Sequence, residues 1–170
     1  MKESDLSVHC RVELSDPGWQ VDSKALTAVV VRIVHLILPE ITTIQGVRRA
    51  VAVSCYFVPA SRMRELNRKH RGIDSVTDML SFPLGYAAPG TGWVLGDIII
   101  CMDAVENKAV SGGNGLEDQL VFSLVHSVLH LVGFDHIEER DRFLMEHREE
   151  EVFAKTSQRD HCPGIVRRSV

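Results

Sequence analysis

The chain has 170 residues, 45% of them hydrophobic and 25% charged, which suits one folded domain and excludes a disordered or low-complexity polymer. A domain of this size buries roughly 70% of its extended-chain surface, so no disulfide framework is needed to hold it. The formal net charge of −4 argues against a uniformly basic binding surface.

In chain order, residues 8–14 alternate loosely and read as a first strand, ended by the turn formers Asp16, Pro17 and Gly18. A helix follows, capped by Asp22 or Ser23 and running to about Leu38, where Pro39 stops it. Its apolar run Leu26–Leu38 is too short to span a bilayer and contains Arg32 and His35, so no membrane segment is expected. Residues 49–57 read as a buried strand. Pro59 opens a helix over about 60–69 with Met63 and Leu66 inward. The stretch 77–83 reads as a strand closed by Pro83. After a glycine- and proline-rich loop at 84–93, a further strand at 96–102 is its antiparallel partner. A helix from Asp103 to about Val110 ends in the flexible SGGNG segment, which lacks the lysine pattern of a phosphate loop.

The next helix, about Leu116 to Val132, carries the chemistry. Leu120, Leu124, Val125, Val128, Leu129 and Val132 would dock on the sheet, leaving His126 and His130 at the edge of that face. Four residues are a little more than one helical turn, so these two imidazoles can converge on one ion. Gly133 can take a left-handed conformation and fold the chain back, presenting His136 as a third ligand. Three neutral imidazoles leave one tetrahedral position of a Zn²⁺ open for water, the mark of a catalytic site. Asp135 or Glu138 is placed to orient a ligand ring through its second nitrogen. A last helix, about Glu138 to Lys155, would direct Phe143, Leu144 and Val152 inward, and a mobile tail is expected over 156–170.

The histidine pattern matches a zinc-protease signature except that Ser127 stands where that signature has its general-base glutamate. A hydroxyl cannot take the proton a carboxylate would accept, so ordinary zinc-protease chemistry is disfavoured. The segment HSVLHLVGFDH, with LNRKHRGIDSVTDMLSFP at 66–83 and LGDIII at 95–100, resembles the YbeY family of metal-dependent endoribonucleases over roughly residues 48–152. The resemblance implies a single-strand-specific endoribonuclease in ribosomal RNA maturation and ribosome quality control. Zinc is the implied ion, with RNA and ribosomal subunit proteins as partners. Ser127 departs from the family's usual glycine, and its hydroxyl is expected to affect substrate fit rather than access. The family's L-N-x-x-x-R stretch nominates Arg71 as the cation that stabilises charge on the scissile phosphate, against a structural ion pair with Asp74 or Asp78.

The basic residues cluster between Arg62 and Arg71 while the acids concentrate in 138–151, so the net charge does not exclude a polyanionic substrate. Thr77, Asp78 and Ser81 match the family's T-D-V-L-S-F-P run but are equally explained by a strand between polar turns, and Asp97 reads as a turn or capping residue. Cys10, Cys55, Cys101 and Cys162 form no C-x-x-C and read as reduced thiols in a cytoplasmic protein, Cys55 and Cys101 in the core. The segment MKESDLSVHCRVEL lacks the features of a secretory signal. Two other readings stay open: a metal-dependent peptide or amide hydrolase using Asp135 as base, and a non-catalytic ribosome-associated metal-binding module. The expected architecture is one α+β domain over 1–155, a small mixed sheet covered by helices with the metal-binding helix at a cleft.

Overall fold

The computed structural model describes residues 7–42, 50–89, 92–157 and 164–169. Four strands form a mixed sheet in the order β1-β3-β5-β4, where β1 is Ser7–Leu14, β3 Ala50–Phe57, β5 Gly92–Ile100 and β4 Met79–Ala88. β1, β3 and β5 are parallel, and β4 closes one edge antiparallel to β5. Period-2 alternation explains the layers. Val51, Val53, Cys55 and Phe57 of β3, with Ile98 and Ile100 of β5, are buried in the main core. Leu80 of β4 and the partly buried Ile99 of β5 instead meet Met63 of helix α3 (Ala60–Arg71) in a smaller second core. The α+β class with a helix-flanked mixed sheet is as expected, and Cys55 and Cys101 are fully buried as free thiols.

Helix α1 (Ser23–Leu36) begins where Asp22 Oδ1 accepts the backbone N–H groups of Lys24 and Ala25 at 2.9 and 3.0 Å. It ends before Leu38, and Pro39 lies in the first turn of the short helix α2 (Leu38–Thr42) rather than merely stopping α1. A proline there removes no hydrogen bond, because first-turn amides have no helical acceptor. Helix α4 (Met102–Gly112) follows β5 directly, and α5 (Leu116–Leu131) packs on the sheet through Leu120, Leu124, Val125, Val128 and Leu129, each fully buried.

Three differences from the sequence reading have physical causes. The glycine- and proline-rich segment 84–93 is largely strand: β4 continues to Ala88 and β5 starts at Gly92, with a register shift between Pro83 and Tyr86. Pro83 is tolerated because β4 is an edge strand. Helix α6 (Glu139–Ser157) does not bury Phe143 or Leu144, which are 70% and 49% exposed; its inward stripe is Met145, Glu149, Val152 and Thr156. The side chain of Arg148 sets this rotation by bonding Glu40 at 2.6 Å and the Leu36 carbonyl at 2.6 Å. Finally, Val166–Arg168, expected in the tail, forms strand β6 antiparallel to β2 (Trp19–Val21). Glu117 Oε1 accepts the N–H groups of Gly164 and Ile165, and Arg168 stacks over the buried Trp19 ring. Cys162 and Pro163 lie outside the described residues.

Gly96 lets α5 approach the sheet. Its φ is 153°, and a Cβ there would stand 2.2 Å from the Phe82 carbonyl oxygen and 2.9 Å from Leu131 Cδ2. Gly96→Ala is expected to destabilise the fold by about 2 kcal/mol or more, from backbone strain plus displacement of helix α5. Urea denaturation midpoints of the two proteins check this.

Candidate metal centre

Helix α5 ends in a Schellman motif. The N–H of Gly133 bonds the His130 carbonyl at 3.1 Å, the N–H of Phe134 bonds the Leu129 carbonyl at 3.1 Å, and Gly133 has the expected positive φ of 99°. The reversal returns the chain along the helix end, and His136 comes to face His126 and His130. Ring centroids are separated by 4.5 Å (126–130), 5.1 Å (130–136) and 5.7 Å (126–136). One nitrogen from each ring lies within 4.8 Å of the others, so the three predicted ligands form a group that could hold a metal ion.

The ring orientations fit that use. His126 Nδ1 meets Glu149 Oε1 at 2.5 Å and His130 Nδ1 meets the Phe134 carbonyl at 2.8 Å. Each Nδ1 is thereby matched to an acceptor, which turns both Nε2 atoms toward a common point and places them 3.1 Å apart. Tetrahedral bonds of about 2.0–2.1 Å require ligand nitrogens roughly 3.3 Å apart. Burial, followed by electrostatic interaction with the neighbouring His126 ring, pushes the His130 imidazolium pKa down, favouring the neutral ring a cation needs.

The orienting groups are not those expected from sequence. Asp135 Oδ1 accepts the backbone N–H of His136 at 2.6 Å and so stiffens the returning loop; the carboxylate on the ligand ring belongs to Glu149, 23 residues downstream of His126. The one signal for it was helical spacing, since Glu149 shares the stripe of Met145, Val152 and Thr156.

The three histidines open into a cleft of about 480 Å³ that Arg71, Thr77, Asp78, Ser81, Lys108 and Ser127 also line. Arg71 is the last residue of α3, exposed, and without an ion pair among the described residues. Its two anticipated partners are engaged elsewhere: Asp74 with Arg64 at 2.9 Å and Asp78 with Lys108 at 2.9 Å. Behind it, the buried Asn67 bonds the Ser75 carbonyl at 2.9 Å and pins the following loop to α3. Ser127 is buried with its hydroxyl on Met79 Sδ at 3.3 Å, so it forms cleft floor without obstructing the rings. Asp97 is not the turn or capping residue expected: because β5 starts at Gly92, it lies within the strand and pairs with Ser54 on one side and Phe82 on the other.

Sequence reasoning missed Lys108 and the polar chain behind it. Asn114 bonds Gln119, Gln119 bonds Ser123, and Ser123 donates to Asp78, which also accepts from the Lys108 ammonium and the Thr77 hydroxyl. Burial raises the Asp78 pKa, but the Lys108 hydrogen bond and charge, with its own and Met79's backbone N–H groups, outweigh it and hold the carboxyl below its ordinary value.

Residues 13–157 match the family described as Endoribonuclease YbeY. The Endoribonuclease YbeY of Moorella thermoacetica is 37% identical over 155 residues, covering 86% of this chain and 96% of the relative. That of Caldanaerobacter subterraneus subsp. tengcongensis is 36% identical over 147 residues, covering 80% and 90%. That of Pelotomaculum thermopropionicum is 35% identical over 136 residues, covering 78% and 87%. A solution structure of a Thermotoga maritima protein superposes with a TM-score of 0.58 at 27% identity, covering 91% of this chain and 98% of that one.

Two outcomes are expected from this geometry. Glu149→Gln should weaken zinc binding about 10- to 100-fold, because the ring of His126 loses its anionic partner; zinc titration against a competing chelator measures it. Asp78, with its depressed pKa, contributes stability that is complete above its ordinary value of 3.8 and lost as pH falls through the lower folded value. The stability difference between wild type and Asp78→Asn should therefore be largest at neutral pH and shrink below about pH 4, as urea midpoints across pH report.

Proposed function

As a member of the YbeY endoribonuclease family, this chain is one that we propose cleaves single-stranded RNA with the help of a zinc ion, in ribosomal RNA maturation and ribosome quality control. The observation that carries the metal dependence is the convergence of His126, His130 and His136, each ring presenting one nitrogen to the same small volume. A bound zinc ion would supply Lewis acidity, polarising a phosphoryl oxygen and acidifying a water or 2′-hydroxyl nucleophile.

The protein's own groups do the rest. His126, held by Glu149, and His130, held by the Phe134 carbonyl, keep their nitrogens fixed, so no reorganisation is needed when the substrate enters. Arg71 reaches the cleft from α3 with its guanidinium uncommitted to a carboxylate, the state in which its fork of N–H groups can donate to a phosphate and stabilise charge that grows there during cleavage. Ribosomal RNA and adjoining ribosomal subunit proteins are the partners this reading implies. The cytoplasm is its compartment, in keeping with the three free thiols among the described residues. No helix of the described residues is long and apolar enough to cross a membrane.

Single-stranded RNA, a duplex of the same sequence, and casein, each with and without chelator, test the reading. Chelator-sensitive cleavage confined to the single strand and restored by zinc is expected; casein cleavage instead would overturn it. His126→Ala should lose zinc by elemental analysis together with cleavage, and full activity of that variant in metal-free form refutes the ligand assignment. Arg71→Glu should retain zinc yet lower kcat by about 100-fold or more. An unchanged rate removes Arg71 from the mechanism.

A further inference from the structure

The Asp78–Lys108 ion pair is a partition. On one side lies the metal cleft; on the other lies a second cleft of about 440 Å³, and Thr77, Asp78 and Lys108 line both. Its volume is within the roughly 300–1,000 Å³ of small-ligand clefts. The side chain of Lys108 is 55% exposed and its ammonium uses one of its donors on Asp78, which leaves others for an anion passing over the partition.

The far side of the second cleft combines the two surfaces that an unstacked nucleobase uses. Val76, 41% exposed, and Ala104 give an apolar wall for the base's face. Asp103 and Asn107, one turn apart on α4, line the same cleft. Asp103 is held in place through Oδ1, which accepts from Trp19 Nε1 at 3.1 Å and from Arg168 at 3.3 Å, while its Oδ2 takes no hydrogen bond among the described residues. Asn107 offers an amide donor and acceptor. A free carboxylate oxygen would repel a phosphate but accepts a base amino group, so this chemistry favours the base edge inside and the phosphate at Lys108.

We propose that the second cleft is a nucleotide subsite: the base adjoining the scissile phosphate enters it with its amino-bearing edge toward Asp103 and Asn107, and Lys108 holds the phosphate crossing the partition. The inference rests on the RNA-cleavage reading above and adds a base preference to it. Adenine, cytosine and guanine carry an exocyclic amino group, whereas uracil would turn carbonyl oxygens toward the Asp103 carboxylate.

The test uses zinc-loaded full-length protein and fluorescein-labelled single-stranded 2′-O-methyl oligonucleotides of adenine, cytosine or uracil, with binding followed by anisotropy. Wild type should bind the adenine and cytosine strands at least about fivefold more tightly than the uracil strand, the lower end for a base-edge contact. Asp103→Asn, which replaces the discriminating carboxylate by an amide that still accepts from Trp19, and Ala104→Leu, which narrows the cleft, both checked by thermal melting, should erase that preference. No preference in wild type, or a preference that survives in folded Asp103→Asn, overturns the subsite. Cleavage of unmodified RNA is scored separately. A protein that binds with the preference yet cleaves no RNA keeps the subsite and fails the nuclease reading; cleavage without the preference does the reverse.

Discussion

The seating of α5 on the sheet is the constraint from which the site follows. Leu120, Leu124, Val125, Val128 and Leu129 are fully buried, and removing five such side chains from water stabilises the contact by roughly 1.5–3 kcal/mol apiece before entropy is counted. That large term fixes the rotation of the helix. With the apolar stripe committed to the sheet, His126 and His130 have one place to go: the border of the buried face, half in solvent and aligned one turn apart. Gly96 makes the seating possible by leaving room for Leu131 where a Cβ would intrude.

Two smaller interactions then convert a pair of histidines into a prepared centre. The Schellman turn at Gly133 spends backbone hydrogen bonds that the helix end would otherwise leave unmet, and in doing so delivers both the Phe134 carbonyl to His130 and the imidazole of His136 to the pair. Helix α6 brings Glu149 to His126. A carboxylate on a buried stripe is unfavourable unless partnered, so the His126 contact explains why Glu149 is tolerated there, and Glu149 explains why His126 holds its orientation. Arg148, through Glu40 and the Leu36 carbonyl, ties the same turn of α6 to α1 and α2.

The wall opposite the histidines is polar by construction. Asp78 sits where β4 begins, its charge held by Lys108 of α4 and Ser123 of α5, so one carboxylate joins three elements around the cleft. Arg71 stands apart from this network, at the end of a helix on which Arg62 and Arg64 are paired with Glu65 and Asp74. With Lys108 committed to Asp78, Arg71 is the cation of the cleft lining that no carboxylate of the described residues pairs.

Local pattern alone determined the metal helix, its three histidines, the turn at Gly133, the buried strands and the mixed α+β class, because each rests on interactions within a few residues: helical spacing, side-chain alternation, and the conformational freedom of glycine. Arg71 was nominated by family resemblance rather than by local pattern, and the structure brings it to the cleft on a helix whose Asn67 pins the following loop. What only the tertiary structure decided are the relations between distant segments. Phe143 and Leu144 are as hydrophobic as Val152, yet the rotation of α6 is set by Glu149 and Arg148 binding partners 23 and about 110 residues away, which hydrophobicity does not register. Likewise the pairing of Val166–Arg168 with Trp19–Val21, and of Asp78 with Lys108 rather than Arg71, depends on which chains meet in space. Polar contacts of that range leave no period in a sequence, since their energy depends on distance and burial that only the packed chain defines.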